Sequence, residues 1–163
     1  MLESRVHKIL SMYGAKVVSN LKRELTINNN IATGTAMNTL SQTIEHVDNG
    51  VVLNIIGQHY IEKIDKGRKA GKRAPSSKKI EEWINAKQGF ILRDYRGRFI
   101  PKTKSNIKAA AFNISRAIGK NGTRPYNLLE YAFEPLRNEI LADVVVAFVE
   151  EELNKIIKTK GSL

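Results

Sequence analysis

The chain has 163 residues, 42% apolar and 26% charged, with no cysteine and a formal net charge of +11. This is ordinary globular composition, long enough for one substantial core, and a single α+β domain over 1–163 is expected. Without cysteine there is no disulfide framework, thiolate nucleophile or cysteine-ligated zinc; no apolar run reaches the roughly 18 to 20 residues of a membrane span, and the opening residues lack a signal peptide's apolar stretch, so a soluble, cytoplasmically made protein is expected.

Leu2, Val6, Ile9, Leu10, Tyr13, Val17, Leu21 and Leu25 recur at three- and four-residue intervals, which predicts one long amphipathic helix over the first 27 residues. Asn28, Asn29 and Asn30 end it, and the small polar stretch through Gly34 and Thr35 reads as a loop. Segments 39–47 and 51–56 are rich in β-branched residues and flank Asp48-Asn49-Gly50. The Asn-Gly pair tolerates the positive φ of a tight turn, so a β-hairpin forming a small antiparallel sheet is predicted.

Tyr60 to Lys66 leads into Gly67-Arg68-Lys69-Ala70-Gly71-Lys72-Arg73-Ala74-Pro75, where two glycines, a proline and clustered cations predict an extended, exposed basic loop spanning about 63–79. Residues 60–124 hold 18 Lys and Arg against 5 Asp and Glu, an excess of +13, while the rest of the chain carries 9 against 11. Such a block fits a polyanionic neighbour, nucleic acid or acidic protein, and equally a solvated face or mobile loop.

Ser76 or Ser77 then caps a short helix with Ile80, Trp83 and Ile84 on one face, stopped by Gly89. Phe90-Ile91-Leu92 and Phe99-Ile100 flank Arg93 to Arg98 and read as a second, basic-tipped hairpin at about 90–101. Ile107, Ala110, Ala111, Ile114 and Ile118 mark a helix closed by Gly119 and by the turn around Asn121-Gly122. A short helix from Asn127 is expected to break near Pro135; from Leu136 a final helix is favoured, although 144–149 also has the composition of a strand.

Little in this order of residues points to chemistry. His7, His46 and His59 form no spaced pair, and neither a Gly-x-Ser-x-Gly elbow nor a phosphate-cradling glycine loop occurs. Glu81-Glu82 and Glu150-Glu151-Glu152 read as solvated helix faces. The expectation is no metal, no cofactor and no catalysis. Trp83 fits a core position, with an interface anchor as the alternative. Tyr60, Tyr95 and Phe99 interleave with cations in the manner of single-strand binders, but too sparsely for a signature.

The order of features from Tyr60 to Leu129 is informative as a whole: Tyr60 with Glu62, Gly67-Arg68 with Gly71 and Pro75, Trp83-Ile84 with Lys87 and Gly89, an Ala-rich helix from Ala109 to Ile118, Gly122, then Leu128-Leu129. It resembles the tail-completion, or neck, proteins of tailed bacteriophages, in which a strand ends at the Tyr; the hairpin around Tyr95 stands as an insertion between the two middle helices. The resemblance implies a non-enzymatic virion protein at the head–tail junction, a ring homo-oligomer that docks on portal, neck or tail subunits and touches the passing DNA without sequence preference. The residues expected to carry contacts are Arg68, Lys69, Lys72 and Arg73, in a loop that orders on docking, then Arg96 and Arg98, with Trp83 and Tyr60 as interface or core anchors. The alternative function is a freestanding basic nucleic-acid-binding module.

Overall fold

The computed structural model describes residues 2–28, 33–48 and 50–160. In chain order its elements are α1 (Leu2–Ile27), α2 (Thr35–Thr39), β1 (Ser41–Val47), β2 (Gly50–Ile56), α3 (Tyr60–Lys66), α4 (Ser77–Ala86), α5 (Lys104–Asn121) and α6 (Leu128–Lys160). The class is α+β, with a long N-terminal helix and one two-stranded antiparallel sheet. Contacts gather the chain into two compact units. The first holds α1, the hairpin and α6; the second holds the described residues up to 38 that follow α1, and 59–127.

In the first unit the stripe read from the sequence is the buried one: Tyr13, Val17, Leu21 and Leu25 on α1 are buried, as are Leu128, Ala132, Leu136 and Ala147 on α6. The two helices run antiparallel. The Asn20 amide donates to the Ala132 carbonyl at 3.2 Å, the Tyr13 hydroxyl donates to Asp143 at 2.8 Å, and Arg5 pairs with Glu150 near the other end. The hairpin lies where predicted, with Ser41 opposite Ile56, Ile44 opposite Leu53 and Val47 opposite Gly50, except that Thr35 to Thr39 form the short helix α2 in place of a loop and the strand's first residue. Asn49 of its turn lies outside the described residues. Gln42 fastens it to the first helix by donating to the Ser11 carbonyl at 3.2 Å.

The expected break near Pro135 does not occur: α6 runs unbroken from Leu128 to Lys160 with Pro135 inside it. A proline in a helix interior costs about 3 kcal/mol, but burying each leucine side chain returns about 1.5–3 kcal/mol, and Leu128, Ala132 and Leu136 clamp the turns on both sides of the proline. Pro135 is exposed, as is Tyr131, the residue one turn earlier whose carbonyl a proline N cannot bond. The same packing settles 144–149 as helix, with Ala147 buried and Asp143 tied to Tyr13.

The second unit is built on Ile84, Leu92, Ile107 and Ala111, with Ile80, Trp83, Phe90, Ile100, Ala110 and Ile114 packed around them. Tyr60 to Lys66 is a helix, not the strand end that the resemblance implied. Ile61 and Asp65, one turn apart, are buried on the same face, and Glu62 pairs with Lys66 across the next turn. The segment 90–101 turns back on itself through a single bridge, Arg93 with Phe99, rather than two strands. Two backbone hydrogen bonds flank the bridge, from the Ile100 N–H to the Leu92 carbonyl at 3.1 Å and from the Asp94 N–H to the Arg98 carbonyl at 2.9 Å, and Phe90, Leu92 and Ile100 pack the stems.

The stop signals of α4 fall differently from expectation, while α5 passes Gly119 and ends at the expected Asn121-Gly122 turn. The fourth helix ends at Ala86, before Gly89, and Ser76 sits at its N-cap without a side-chain bond. In α5 the Thr103 hydroxyl caps the start, accepting from the Asn106 N–H at 3.2 Å, and the helix passes through Gly119 to Asn121. Gly122, with φ 72°, is the residue that ends it.

Candidate interaction surfaces

The basic loop, expected to be extended and to order only on docking, is already laid down as a strap along α5. The Arg68 N–H donates to the Thr123 carbonyl at 3.1 Å, and the Arg68 carbonyl accepts from the Thr123 N–H at 2.9 Å. One helical turn earlier on α5, the Gly71 N–H donates to Gly119 at 2.9 Å. One turn earlier again, the Ser115 hydroxyl donates to the Pro75 carbonyl at 2.6 Å. The strap therefore descends the helix antiparallel to it, with a fixed point each turn. Glycine makes this approach feasible: a Cβ at position 119 would sit 2.9 Å from the Ala74 Cβ.

The four loop cations separate into two roles. Arg68 is half-buried and its guanidinium donates to the Arg73 carbonyl, so it tightens the strap. Lys69, Lys72 and Arg73 are exposed, and none forms an ion pair among the described residues. They lie beside a row that sequence reasoning missed. Lys104, Lys108, Arg116 and Lys120 are exposed on α5 at intervals of one or two turns, with Phe112, 54% exposed, between them and the Arg116 guanidinium 5.6 Å from its ring. The helix contains no Asp or Glu. The available signal was the absence of any acidic residue between Asp94 and Glu130.

Arg96 and Arg98 also part ways. Asp94 organises the turn at 94–97: its carboxylate accepts from the N–H groups of Arg96 and Arg98, each at 2.9 Å, and from the Arg98 guanidinium at 2.8 Å. The Arg98 N–H first, then its guanidinium and the Arg96 N–H, hold the Asp94 carboxyl below its ordinary value. Arg98 is thus committed to the turn, and Arg93 likewise, donating to the Gly97 carbonyl at 2.8 Å and stacking on Phe99. Arg96 remains outward, over the ring of Tyr95, which is 87% exposed.

Trp83 is neither wholly core nor free anchor. One side of its ring meets Phe90 edge-on at 5.1 Å, within the packed cluster. With Tyr60 and Ile64 it also lines two apolar clefts of about 470 and 500 Å³ in the second unit.

In the first unit the prominent surface is apolar. Along the distal half of α6, Leu141, Val145, Phe148, Val149, Leu153 and Ile156 are all about half exposed. These positions recur at i, i+4, i+7, i+8, i+12 and i+15, a second stripe away from the one packed on α1. The fold also stacks His7 on His46, Nδ1 to Nε2 at 3.2 Å, a pairing hidden by 39 residues of separation. Two imidazoles fall short of a ligand set, and no group of three His, Cys, Asp or Glu poised to hold a metal occurs among the described residues. Nor, among those residues, is any helix long and apolar enough to cross a membrane.

These surfaces define a chain with one apolar and one cationic face, each on its own unit. No family model, no curated protein and no solved structure matches the chain.

Proposed function

We propose that this protein is a non-enzymatic assembly subunit that works by burying the second apolar stripe of α6 against a neighbouring subunit. The observation that carries the reading is the exposure of Val145, Phe148, Val149 and Leu153 on a helix whose other side is already packed. A helix apolar around most of its circumference belongs in an interior, and a contiguous exposed apolar patch of this kind marks an interaction site. The resemblance to phage tail-completion proteins supports the finer reading: a ring subunit of the head–tail junction, resident in the virion and docked on portal, neck or tail subunits.

The test is a double variant, Val145→Lys with Phe148→Lys, chosen because both side chains are exposed and their loss leaves the α1–α6 seam intact. It should keep its helical circular dichroism and melting temperature yet fail to enter phage particles and fail to form the oligomer expected of the parent, with light scattering as the measurement. Normal assembly of the variant, or absence of the protein from purified particles, refutes the reading.

A further inference from the structure

We propose that the second unit binds the phosphate backbone of nucleic acid along α5, with the strap supplying a second row of cations. This holds independently of the assembly role above, because it concerns different residues in a different unit.

The whole charge excess of the chain resides in this unit. Its residues include all 18 cations and 5 acids of the basic block, +13, against −2 for the remainder. The five acids are absent from both α5 and the strap. Glu62 is paired with Lys66, and Asp94 is enclosed by its own turn. Asp65 is buried, and Glu81 and Glu82 belong to α4. Repulsion among cations that no carboxylate offsets is tolerated in a fold when a polyanion relieves it, and on a surface it draws one in.

The cations form an oblique ridge, each four-residue step turning about 40° on a helix of 3.6 residues per turn, and a chain polyanion can follow such a ridge where a folded acidic partner would meet only part of it. With a rise of 1.5 Å per residue, Lys104 to Lys120 extends about 24 Å along the helix axis, the length of roughly seven phosphates on one strand at 3.4 Å each. Hydrogen bonds at Thr123, Gly119 and Ser115 hold the strap parallel to this row, so Lys69, Lys72 and Arg73 are positioned before any ligand arrives. The donors are long, flexible Lys and Arg side chains, none in an ion pair among the described residues and only Arg116 resting on a ring, that of Phe112. They suit sequence-independent phosphate contact rather than base readout.

The experiment measures binding of the full chain to two unrelated 20-base-pair duplexes, to a 20-nucleotide single strand and to poly-glutamate, across a salt series. The parent should bind both duplexes equally, with log affinity falling against log salt at a slope of about −5 if six phosphates are neutralised, and bind the single strand with a shallower slope. Two triple variants of equal charge change separate a built site from diffuse charge. Lys108→Gln with Arg116→Gln and Lys120→Gln should flatten the duplex slope by about 2 to 3 units. Lys63→Gln with Lys78→Gln and Lys79→Gln, on α3 and α4, should leave it nearly unchanged. All of these side chains are exposed, and circular dichroism verifies that both variants fold. Equal flattening by the two variants, a strong preference between the duplexes, or poly-glutamate binding as tight as duplex at the same salt each overturns the proposal.

Discussion

Gly71 donates its backbone N–H to the carbonyl of Gly119 at 2.9 Å, and the Ala74 Cα lies 3.2 Å from where a Cβ on Gly119 would stand. This gives Gly119→Ala a diagnostic sign. In a free helix the change stabilises by about 1 kcal/mol; against the strap it should destabilise, and Ala74→Gly should restore the loss. Gly122→Ala should be worse. Its φ of 72° with ψ −163° is backbone that costs other residues about 1–3 kcal/mol, and its Cβ would overlap the Arg68 carbonyl oxygen. Thermal melts of the three variants, with amide exchange at Arg68, Gly71 and Thr123, check both expectations.

Tyr13 and Asp143 predict how the α1–α6 pair responds to alkali. The hydrogen bond to Asp143, with burial and the charges of Asp143 and Glu139 adding to it, pushes the Tyr13 hydroxyl from 10.0 up to about 12. A group whose value is raised on folding contributes stability fully below its unfolded value and loses it as pH rises through the folded one. Stability should therefore decline between pH 10 and about 12, and Tyr13→Phe should remove that part of the decline. Urea midpoints of parent and variant, compared at about pH 8 and across this window, test it.

The turn at Asp94 should respond in the opposite direction. Its carboxyl is depressed below the ordinary 3.8, so its contribution is present above that value and lost as pH falls through the depressed one. Amide exchange at Arg96, Gly97 and Arg98 should accelerate only in strong acid for the parent. In Asp94→Asn it should already be fast at neutral pH, because the amide is a weaker acceptor for three donors.

Trp83 and its neighbour Ile84 should separate in cost. Ile84 is fully buried, and Ile84→Ala should destabilise by about 2–5 kcal/mol. Trp83 is only partly buried, so Trp83→Ala should fall below the 3–5 kcal/mol typical of a wholly enclosed aromatic. Chemical denaturation of the two variants decides. A loss at Trp83 larger than at Ile84 would make it a core residue in full.

Where neighbours in sequence are also neighbours in space, the residues alone sufficed. The period of Tyr13, Val17, Leu21 and Leu25 marked α1 and its buried side, the β-branched runs about Asp48-Asn49-Gly50 placed the hairpin, and Ile107 with Ala111 marked the inner face of α5. The charge count also located the cationic segment. What only the tertiary structure decided depends on partners far away in the chain. Pro135 looked like a break because its local cost is visible and the offsetting contact with α1, more than a hundred residues earlier, is not. Arg68, Lys69, Lys72 and Arg73 looked alike until the strap met α5, which turned the first inward as a clasp and left the other three outward. The α5 cations escaped notice because Lys104, Lys108, Arg116 and Lys120 become one row only on a helix whose other face is buried. Helical period and burial together choose the exposed side, and burial is a property of the assembled fold.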